Sequence, residues 1–415
     1  MRVVIAAGGT GGHIYPALAV ARSLRALPAA PELAWIGGHR GLEAGIVPGN
    51  GIPFSRLALR SLRSTGRDVH LLLDPLRLAA SLPQALWRLA RLRPDAIFTS
   101  GGYVAIPILV AARALRTPVV LWEGNVVPGR STRATAGLAD AVAVSFEATC
   151  AALGVARCYL TGTPIRDTRA VDREEARERL GIPAAPRLLL VFGGSQAVRR
   201  FNTAVAGALG RLVERCWVLH VTGETGLPEM AAAREGLPAE LRDRYRPIPF
   251  LADEMTAALA AADLVVGRAG SSTLAEAAAF GLPLICVPYP HAAGHQRANA
   301  DAYAATGAAR VIDDADFDAE ALVAAAHLLD DPAAHVAMSA AARGAAKPAA
   351  ADAVARLVLA AATRTAYPPP EAITRLASGL DGVVPPRGNA GAPAPAAPEA
   401  PAAPGMGGTD PGTSA

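Results

Sequence analysis

Residues 3–19 read VVIAAGGTGGHIYPALA: an aliphatic run, a cluster of glycines and then a segment of helical composition. A buried strand that runs through a glycine turn into a helix is the repeating unit of α/β proteins with parallel sheets. The same order returns in the second half of the chain as LLLVFGGSQ, residues 188–196. The sequence therefore predicts two Rossmann-type domains, with their boundary near residues 161–173.

Aliphatic runs of strand length alternate with Ala-, Leu- and Arg-rich stretches of helical length along both halves. Continuous apolar strands separated by helices indicate parallel sheets that are covered on both faces, so the predicted fold class is α/β. The predicted strands are residues 3–7, 33–36, 96–99, 119–122 and 141–145 in the first half, and 188–192, 217–222, 264–267 and 284–287 in the second.

The domain limits follow from these elements. We assign residues 1–163 to an N-terminal domain and residues 164–345 to a C-terminal domain, and we expect a helix over residues 349–365 to pack back on the first. From residue 366 to 415 the composition changes to Pro, Ala, Gly and Ser, with few large apolar side chains. Such a segment buries too little surface to offset the entropy of ordering, which predicts a disordered tail.

Composition excludes several classes of protein. The 415 residues include 40 Lys and Arg against 36 Asp and Glu, and a net charge of +4 does not indicate a nucleic-acid partner. The four cysteines show no CxxC spacing, which argues against a zinc knuckle or a disulfide scaffold and favours a reducing, cytosolic interior. No uncharged apolar run reaches the roughly 20 residues that span a bilayer, and the N-terminus does not resemble a signal peptide. The longest apolar run, residues 96–112, is interrupted by glycines and a proline and predicts a strand, a loop and a helix.

The first glycine loop is GGTGGH, residues 8–13, between a strand and a helix. Glycines permit positive φ angles and close approach of a ligand, and a helix N-terminus offers unpaired N–H groups to an anion. The loop differs from the dinucleotide fingerprint GxGxxG and from a Walker loop. His13 at its end is a candidate for chemistry, with a helix-capping or packing histidine as the alternative.

Three later segments place polar residues after strands in the same way. Ser195 follows the second glycine pair, and RAGSSTLAE, residues 268–276, opens another helix with hydroxyl side chains. Glu276 can accept hydrogen bonds from a ribose diol; a capping-box or helix-dipole carboxylate is the alternative. In PYPHAAGHQRANA, residues 288–300, Gln296 and Asn299 are placed to face a sugar, unless this is a polar loop with ordinary caps.

These segments, in this order, resemble the MurG family of UDP-N-acetylglucosamine transferases, within glycosyltransferase family 28. The resemblance also includes SGGY at residues 100–103 and TGTPIR at residues 161–166, and it spans roughly residues 1–365. It implies the GT-B architecture, in which two Rossmann-like domains face each other across a cleft. It further implies a role in peptidoglycan synthesis: the inverting transfer of N-acetylglucosamine (GlcNAc) from UDP-GlcNAc to the C4 hydroxyl of the N-acetylmuramyl unit of lipid I, which gives lipid II.

The resemblance also implies roles for individual residues. His13 matches the proposed catalytic histidine, Glu276 the residue that holds the ribose, and Gln296 the residue that holds the sugar hydroxyls. Uracil is expected at backbone groups near residues 250–252, which we assign to Leu251. The other implied donor-binding residues are Thr10, Gly11, Gly12 and Asn125 in the first domain, Arg166 at the junction, and Ser195, Ser271, Ser272, Thr273, Leu274 and Ala275 in the second.

The chain departs from the family pattern at three places. It has Trp122-Glu123-Gly124-Asn125 where the family usually has His-Glu-Gln-Asn. It has Ala197-Val198 where many members have Gly-Ala, and Gly294 where an aspartate is usual. Most donor positions are intact, so these departures bear on the acceptor side more than on the donor site.

The implied reaction needs a base for the attacking hydroxyl and a partner for the departing diphosphate. His13 is the first candidate base, since imidazole with an ordinary pKa of about 6.5 accepts a proton at physiological pH; Glu123 is the second. Glycine amides at helix N-termini, together with Arg166, are suited to the diphosphate. The carboxylates at residues 313–316 lie far along the chain from the glycine loops, so we expect no metal cofactor.

A basic and apolar segment between residues 56 and 93 favours docking on a membrane with anionic lipid, and a solvated helix face with long arginines is the alternative. Because the implied acceptor is lipid-linked, we expect a peripheral protein at the cytoplasmic face of the cell membrane, with other cell-wall synthesis proteins as further partners. The segment contains Arg56, Arg60, Arg63, Arg67, Arg77, Arg88, Arg91 and Arg93 among Leu57, Leu59, Leu71, Leu72, Leu73, Leu76, Leu86 and Trp87.

Three other functions are compatible with such a fold. A GT-B transferase with another lipid or an aglycone as its acceptor fits the change at Trp122 and Gly124. A UDP-GlcNAc 2-epimerase shares the fold, although the GGTGGH loop argues against it. A non-catalytic binder of nucleotide sugars is the third, although the intact set of Thr10, His13, Glu276 and Gln296 would be unexpected in it.

Overall fold

The computed structural model describes residues 1–39, 41–59, 70–168, 171–194, 199–251, 254–291 and 294–380, with the backbone alone for residues 70–76. All of these residues lie in one compact unit that spans Met1–Gly382. Within it, two parallel sheets define an N-terminal and a C-terminal lobe.

The N-terminal lobe is built on a seven-stranded parallel sheet. Its strands are β1 (Arg2–Ala6), β2 (Glu32–Gly37), β3 (Phe54–Arg56), β4 (Ala96–Thr99), β5 (Val119–Glu123), β6 (Ala141–Val144) and β7 (Cys158–Leu160). Their order in the sheet is β3-β2-β1-β4-β5-β6-β7, so the chain reverses its direction of travel between β1 and β4. Such a reversal opens a crevice at the carboxyl ends of the two strands, where α/β proteins bind ligands.

Helices cover both faces of this sheet, as its buried central strands require. They are α1 (Gly11–Arg25), α2 (Glu43–Gly49), α3 (His70–Leu92), α4 (Ala105–Leu115), α5 (Arg130–Thr135) and α6 (Glu147–Leu153). The longest apolar run of the sequence forms β4, a loop and α4, as predicted. Among the described residues, no helix is both long and apolar enough to cross a bilayer.

The C-terminal lobe repeats the plan on a six-stranded parallel sheet. Its strands are β8 (Leu188–Phe192), β9 (Trp217–Val221), β10 (Tyr245–Ile248), β11 (Leu264–Gly267), β12 (Leu284–Cys286) and β13 (Ala309–Val311). The order β10-β9-β8-β11-β12-β13 places the reversal between β8 and β11. Its helices are α7 (Arg173–Arg179), α8 (Arg199–Arg215), α9 (Leu227–Glu235), α10 (Met255–Ala261), α11 (Ser271–Ala279), α12 (His295–Ala304), α13 (Ala319–Ala326) and α14 (Pro332–Ala345).

Two more helices return to the N-terminal lobe: α15 (Ala350–Thr363) and α16 (Pro370–Ala377). Helix α15 packs along α1 and against β4 and β5, and its Val354 and Leu357 share an apolar core with Val3 and Ile5. Helix α16 packs on α15 and β7.

The prediction of a disordered tail over residues 366–415 is wrong for its first part, because α16 lies there. Ile373 and Ala377 are four residues apart on one face of this helix, and both are buried in the N-terminal core. Two apolar contacts dock a helix that its proline-rich surroundings conceal in the sequence. Residues 381–415 lie outside the described residues.

The two-sheet α/β fold is confirmed, and each of the nine predicted strands lies within one residue of its predicted bounds. The strands that the sequence did not reveal are β3, β7, β10 and β13, which are the four edge strands of the two sheets. The domain boundary after residue 163 stays a prediction; the first sheet ends at Leu160, and α7 begins at Arg173.

The expectation of a reducing interior, drawn from the cysteine spacing, does not fit one pair of cysteines. Cys150 in α6 and Cys158 at the start of β7 form a disulfide, with their Cα atoms 5.7 Å apart. The short connection turns the chain from the helix back along the sheet, which brings residues eight apart into contact. Cys216 and Cys286 are buried free thiols, and burial raises the pKa of each to about 12.

Candidate active site between the lobes

The first glycine loop lies at the crevice between β1 and β4. Thr10 has extended backbone geometry at the start of α1, and its side chain makes no capping hydrogen bond to the helix. The amides of His13 and Ile14 donate to the Thr10 carbonyl, at 3.0 and 3.2 Å. The first N–H groups of a helix have no acceptor within it, so those of Gly11 and Gly12 are directed outward toward a ligand.

His13 is held by the loop that follows β4. Its Nδ1 lies 2.7 Å from the Ser100 carbonyl oxygen, and the Ser100 hydroxyl donates to the His13 carbonyl at 2.9 Å. A carbonyl only accepts, so Nδ1 carries the hydrogen and Nε2 is the basic nitrogen of the neutral ring. Gly101 and Gly102 have φ angles of +80° and +76°, a conformation that carries the loop past the imidazole.

Glu43, which the sequence did not single out, supports the glycine loop from below. Its side chain is fully buried, and its carboxylate accepts hydrogen bonds from the amides of Gly9 (3.1 Å) and Gly38 (2.9 Å). A Cβ atom at Gly8 would lie 2.5 Å from this carboxylate. The signal in the sequence is weak: a glutamate among the glycines at residues 37, 38 and 41.

We expect Glu43→Gln to lower kcat/KM at least tenfold, because an amide group presents one oxygen to two backbone donors and its NH2 opposes one of them. An unsatisfied buried group costs about 1–3 kcal/mol. Steady-state kinetics and thermal unfolding measure the two effects, with the conservative Glu32→Gln at an exposed carboxylate of the same lobe as the control. Unchanged kinetics in Glu43→Gln would show that the loop does not depend on this carboxylate.

The loop after β5 carries Glu123 and Asn125. Glu123 is buried, and one carboxylate oxygen accepts from the backbone (3.0 Å) and side-chain (2.9 Å) nitrogens of Asn125. The other oxygen accepts from the amide of Gly129 at 3.1 Å. Both carboxylate oxygens are therefore engaged in hydrogen bonds that hold this loop, as expected of a positioning residue.

The departures at Trp122 and Gly124 compensate for one another. The Trp122 indole is buried, and its Nε1 donates to the Gly162 carbonyl at 3.1 Å. A Cβ atom at Gly124 would lie 2.6 Å from this indole and 2.7 Å from the Ser271 hydroxyl of the other lobe. The larger side chain at position 122 therefore occupies the space that a side chain at position 124 needs, and the lobes approach each other closely at Gly124.

The same loop is hydrogen-bonded to the C-terminal lobe through Asn299. This residue was expected to face a sugar, but it is fully buried: its oxygen accepts from the Val126 amide (3.0 Å), and its nitrogen donates to the Asn125 side chain (3.1 Å) and the Ala269 carbonyl (3.2 Å). His295 makes a second bridge, with Nδ1 2.8 Å from the Val127 carbonyl. Asn299 is thus an inter-lobe bridge whose polar atoms are all in use.

Helix α11 brings the Ser271–Glu276 segment into the cleft. Gly270 at its start is extended, and no side chain caps the helix. The helix contacts α1 of the other lobe, so the uncapped N-termini of α1 and α11 lie on the two sides of the cleft. Both are suited to an anionic or polar ligand.

Arg166 lies between the same elements. Its guanidinium stands 5.7 Å from the centre of the Tyr15 ring of α1, and its charge acts on Glu276 of α11. Burial raises the pKa of Glu276 to about 7, and the positive charge of Arg166 opposes that rise. A carboxyl with such a perturbed pKa in a cleft marks a functional site.

The remaining predicted residues divide into three groups. Gln296 is oriented by the Tyr289 amide, which donates to its side-chain oxygen at 2.9 Å. Leu251 follows β10 and is buried, as is Leu274 in α11. Ser195, with Gln196 and Ala197-Val198, lies outside the described residues, as does residue 252.

No group of three or more His, Cys, Asp or Glu side chains is arranged to hold a metal ion within the part of the chain that the structure describes. The acidic segment at residues 313–316, distant in sequence, does come close to α11. Asp314 forms ion pairs with Arg268 (2.5 Å) and Arg200 (3.2 Å), and Asp313 pairs with Arg297 at 2.5 Å. These two carboxylates are therefore engaged by arginines.

Comparison with known proteins adds to this geometry. Residues 3–144 match the glycosyltransferase family 28 N-terminal domain, and residues 188–357 match the glycosyltransferase family 28 C-terminal domain. A protein of Desulforudis audaxviator (strain MP104C) is 39% identical over 362 residues, which cover 85% of this chain and 96% of that protein. It is described as UDP-N-acetylglucosamine--N-acetylmuramyl-(pentapeptide) pyrophosphoryl-undecaprenol N-acetylglucosamine transferase.

Comparison with solved structures gives a consistent result. The crystal structure of Acinetobacter baumannii MurG has a TM-score of 0.70 and 28% identity, and covers 86% of this chain and 99% of that chain. A structure titled as a putative UDP-N-acetylglucosamine 2-epimerase from Listeria monocytogenes has a TM-score of 0.66 at 16% identity, over 88% of this chain and 98% of that one. The second likeness shows the fold alone.

Proposed function

Because the chain belongs to glycosyltransferase family 28, we propose that it transfers GlcNAc from UDP-GlcNAc to the C4 hydroxyl of the N-acetylmuramyl unit of undecaprenyl-pyrophosphoryl-MurNAc-pentapeptide, with inversion at the anomeric carbon. The observation that carries this proposal is the pair of uncapped helix N-termini, α1 and α11, on the two sides of one cleft, with His13 at the first and Glu276 at the second.

We assign the donor chiefly to the C-terminal lobe. The amides of Ser271, Ser272 and Thr273 at the start of α11 are suited to the diphosphate, as is the charge of Arg166. Glu276 then accepts hydrogen bonds from the ribose, and Gln296, whose oxygen is already occupied, offers its NH2 group to a sugar hydroxyl. Ser195 and Leu251 complete the predicted donor site.

We assign the acceptor hydroxyl to His13 in the N-terminal lobe. The bond from Nδ1 to Ser100 leaves Nε2 as the nitrogen that accepts the proton when the hydroxyl attacks. Glu123, the other predicted base, has both carboxylate oxygens engaged in its own loop, so we give it a positioning role. The developing charge on the leaving diphosphate is met by fixed amide dipoles, which need no rearrangement during the reaction. We expect this arrangement to work with no metal cofactor.

The direct test is to incubate the protein with UDP-GlcNAc and a lipid I analogue, and to measure UDP release and the products. UDP release that depends on the lipid I analogue, with a disaccharide product, supports the proposal. Release that needs a different acceptor indicates a GT-B transferase of other specificity. Formation of N-acetylmannosamine without an acceptor indicates an epimerase, and binding without turnover indicates a binding protein.

The titration of Glu276 makes donor binding depend on pH. Its carboxylate accepts two ribose hydrogen bonds only when ionised, and its pKa is raised to about 7. The KM for UDP-GlcNAc should therefore rise several-fold as the pH falls from 8 to 6. Steady-state kinetics at fixed ionic strength measure this, and Glu276→Gln should have a high KM that no longer changes with pH. An equally steep profile in the variant would assign the titration to another group.

The same raised pKa has a consequence for stability. An unfolded glutamate ionises near 4.5, so folding is penalised as the pH rises from about 4.5 through 7. At pH 8 the cost reaches up to about 3 kcal/mol. Glu276→Gln should therefore raise the free energy of unfolding at pH 8 and leave it unchanged at pH 4.5, even as donor binding is lost.

We further propose that α3 docks the N-terminal lobe on anionic lipid at the cytoplasmic face of the membrane. Trp87 and Leu86 are 61% and 40% exposed, and the guanidiniums of Arg88 and Arg91 lie 5.9 and 6.0 Å from the Trp87 ring. An exposed indole between cations suits the membrane interface.

Not all of the predicted docking residues belong to this surface. Leu57 and Leu59 are buried in the core against α3 and α4, so the inclusion of these two leucines was wrong. Arg60, Arg63 and Arg67, and the side chains of Leu71, Leu72, Leu73 and Leu76, lie outside the described residues.

We expect Trp87→Ser with Arg88→Glu and Arg91→Glu to abolish co-sedimentation with phosphatidylglycerol vesicles and to leave UDP-GlcNAc binding unchanged. Val336→Ser serves as the control, because Val336 is an equally exposed apolar side chain (62%) on α14 of the other lobe. Vesicle binding that survives the triple substitution would remove α3 from the docking surface.

A further inference from the structure

A second basic site lies at the opposite end of the N-terminal sheet from the cleft. An open cavity of about 1000 Å³ lies there. It is lined by the end of α4, the starts of β5, β6 and β7, and the segment after α15. We call it the basal groove. Its lining includes Pro118 and Asp140, which precede β5 and β6, whereas the cleft lies beyond the carboxyl ends of these strands. A strand of this length separates the two sites by roughly 15 Å.

The basal groove is strongly basic. Arg113, Arg116, Arg157 and Arg364 line it together with a single acid, Asp140, whose carboxylate accepts from the Val119 amide at 2.8 Å. Four guanidiniums against one carboxylate give a formal charge of +3, compared with +4 for the whole chain. Within the described ranges, none of the four forms an ion pair.

Several arginines elsewhere in this chain pair with carboxylates. Arg177 and Arg173 share Asp263 at 3.2 and 2.7 Å, and Arg211 binds Glu320 at 2.6 Å. Guanidiniums that line one cavity without such partners repel one another and gain from a shared anion. Within the described ranges, the four arginines of the groove have no such carboxylate partner.

Tyr367 supplies a second and independent observation. The residue lines the groove, yet its hydroxyl is buried and has no hydrogen-bond partner among the described residues. The Arg157 guanidinium lies 5.5 Å from the centre of its ring. Buried polar groups are nearly always satisfied, and burial, with the nearby Asp140 charge, raises the pKa of this phenol to about 12, so it remains a donor at neutral pH. The Tyr367 hydroxyl therefore lacks an acceptor for its hydrogen among the described residues.

From the four arginines that line the groove and the unsatisfied Tyr367 hydroxyl, we propose that the basal groove binds an anion that carries phosphoryl groups. Guanidinium groups bind phosphoryl oxygens in a bidentate manner, and the volume exceeds what one phosphate fills. Such an anion is either a free oligophosphate or the headgroup of a phospholipid. The site is separate from the donor site and does not depend on the proposed transferase activity.

The backbone provides a variant that removes charge without unfolding the protein. Arg116 and Arg364 end α4 and α15 in the left-handed region, each with φ of +55°, where glycine is the preferred residue. Glycine at both positions removes two of the four guanidiniums and relaxes the backbone. Arg93 is the matched control, because it also has a positive φ of +47° and is not part of the groove.

The test is calorimetric titration of inorganic pyrophosphate into protein saturated with UDP, so that the donor site is filled. We expect wild-type and Arg93→Gly protein to bind pyrophosphate, and Arg116→Gly/Arg364→Gly to bind it at least tenfold more weakly, with unchanged UDP affinity. Tyr367→Phe should weaken binding several-fold. Binding that is equal in wild-type and double-variant protein would overturn the proposal.

Vesicles distinguish the two sources of the anion. In the Trp87→Ser/Arg88→Glu/Arg91→Glu background, which removes the α3 surface, phosphatidylglycerol and phosphatidylcholine vesicles are compared by co-sedimentation. Retention on phosphatidylglycerol alone, lost in Arg116→Gly/Arg364→Gly, assigns the groove to a lipid headgroup; pyrophosphate binding without vesicle binding assigns it to a free oligophosphate. If wild-type protein binds neither probe, the groove is not an anion site.

Discussion

Replacing His13 by alanine is expected to lower kcat by a factor of about 10²–10⁴, the usual contribution of a positioned general base. The KM for UDP-GlcNAc should stay within about threefold, since the imidazole acts on the acceptor hydroxyl and not on the donor. The physical reason is the fixed tautomer: the Ser100 carbonyl, 2.7 Å from Nδ1, keeps the hydrogen on that nitrogen and makes Nε2 the basic one. Acceptor-dependent UDP release measures both constants.

Two further variants separate chemistry from folding. His39→Ala removes an exposed histidine of the same lobe and should leave kcat unchanged. Ser100→Ala keeps the carbonyl that receives Nδ1 but loses the hydroxyl bond to the His13 backbone, so it should lower kcat less than His13→Ala does. Full turnover in His13→Ala would assign the base to another group and return Glu123 to consideration.

Gly124→Gln is expected to reduce kcat/KM at least a hundredfold, although it installs the residue that the family usually has. The new Cβ would lie 2.6 Å from the Trp122 indole and 2.7 Å from the Ser271 hydroxyl, so the lobes must separate to admit it. Displacement of about 1 Å between catalytic groups is enough for a hundredfold loss. Gly129→Ala, where a Cβ makes ordinary contacts at 3.7 Å or more, is the control in the same loop and should be tolerated.

A double variant tests whether Trp122 and Gly124 are coupled. Trp122→His removes the indole that occupies the space beside position 124, so Trp122→His/Gly124→Gln should recover at least tenfold of the activity lost in Gly124→Gln. Coupling of this kind is what a double-mutant cycle measures between neighbouring side chains. If the losses of the two single variants simply add, the two departures are independent and the compensation is refuted.

The sequence was sufficient to predict the central strands of both sheets but not their edge strands. Central strands are buried on both faces and read as continuous aliphatic runs, whereas the edge strands β3, β7, β10 and β13 are three or four residues long and include Arg56, Pro247 and Arg310. Edge strands tolerate charge and proline, so pattern alone does not separate them from loops. Helix α16 was missed because its few apolar contacts, made by Ile373, Leu376 and Ala377, lie in a proline-rich segment.

The sequence predicted those parts of the candidate site in which backbone N–H groups are expected to bind the ligand. Glycine clusters after β1 and β4, and small residues after β11, marked the helix N-termini and the histidine loop. Glu43 escaped and Asn299 was given the wrong role, because the pattern does not show contacts with groups distant in sequence, such as the Gly9 and Val126 amides. Asp263, which the sequence analysis did not assign, has a structural role: it accepts hydrogen bonds from Arg173, Arg177 and the Leu188 amide and so secures α7 to the sheet.

The most direct test of the account is the crystal structure of the complex with UDP-GlcNAc, prepared in EDTA. We expect the diphosphate oxygens to lie about 2.7–3.2 Å from the backbone nitrogens at the start of α11, with the sugar between them and the Gly11–His13 end of α1. A donor that lies outside the space between these two helix ends, or one that binds only when a divalent cation is restored, would contradict it.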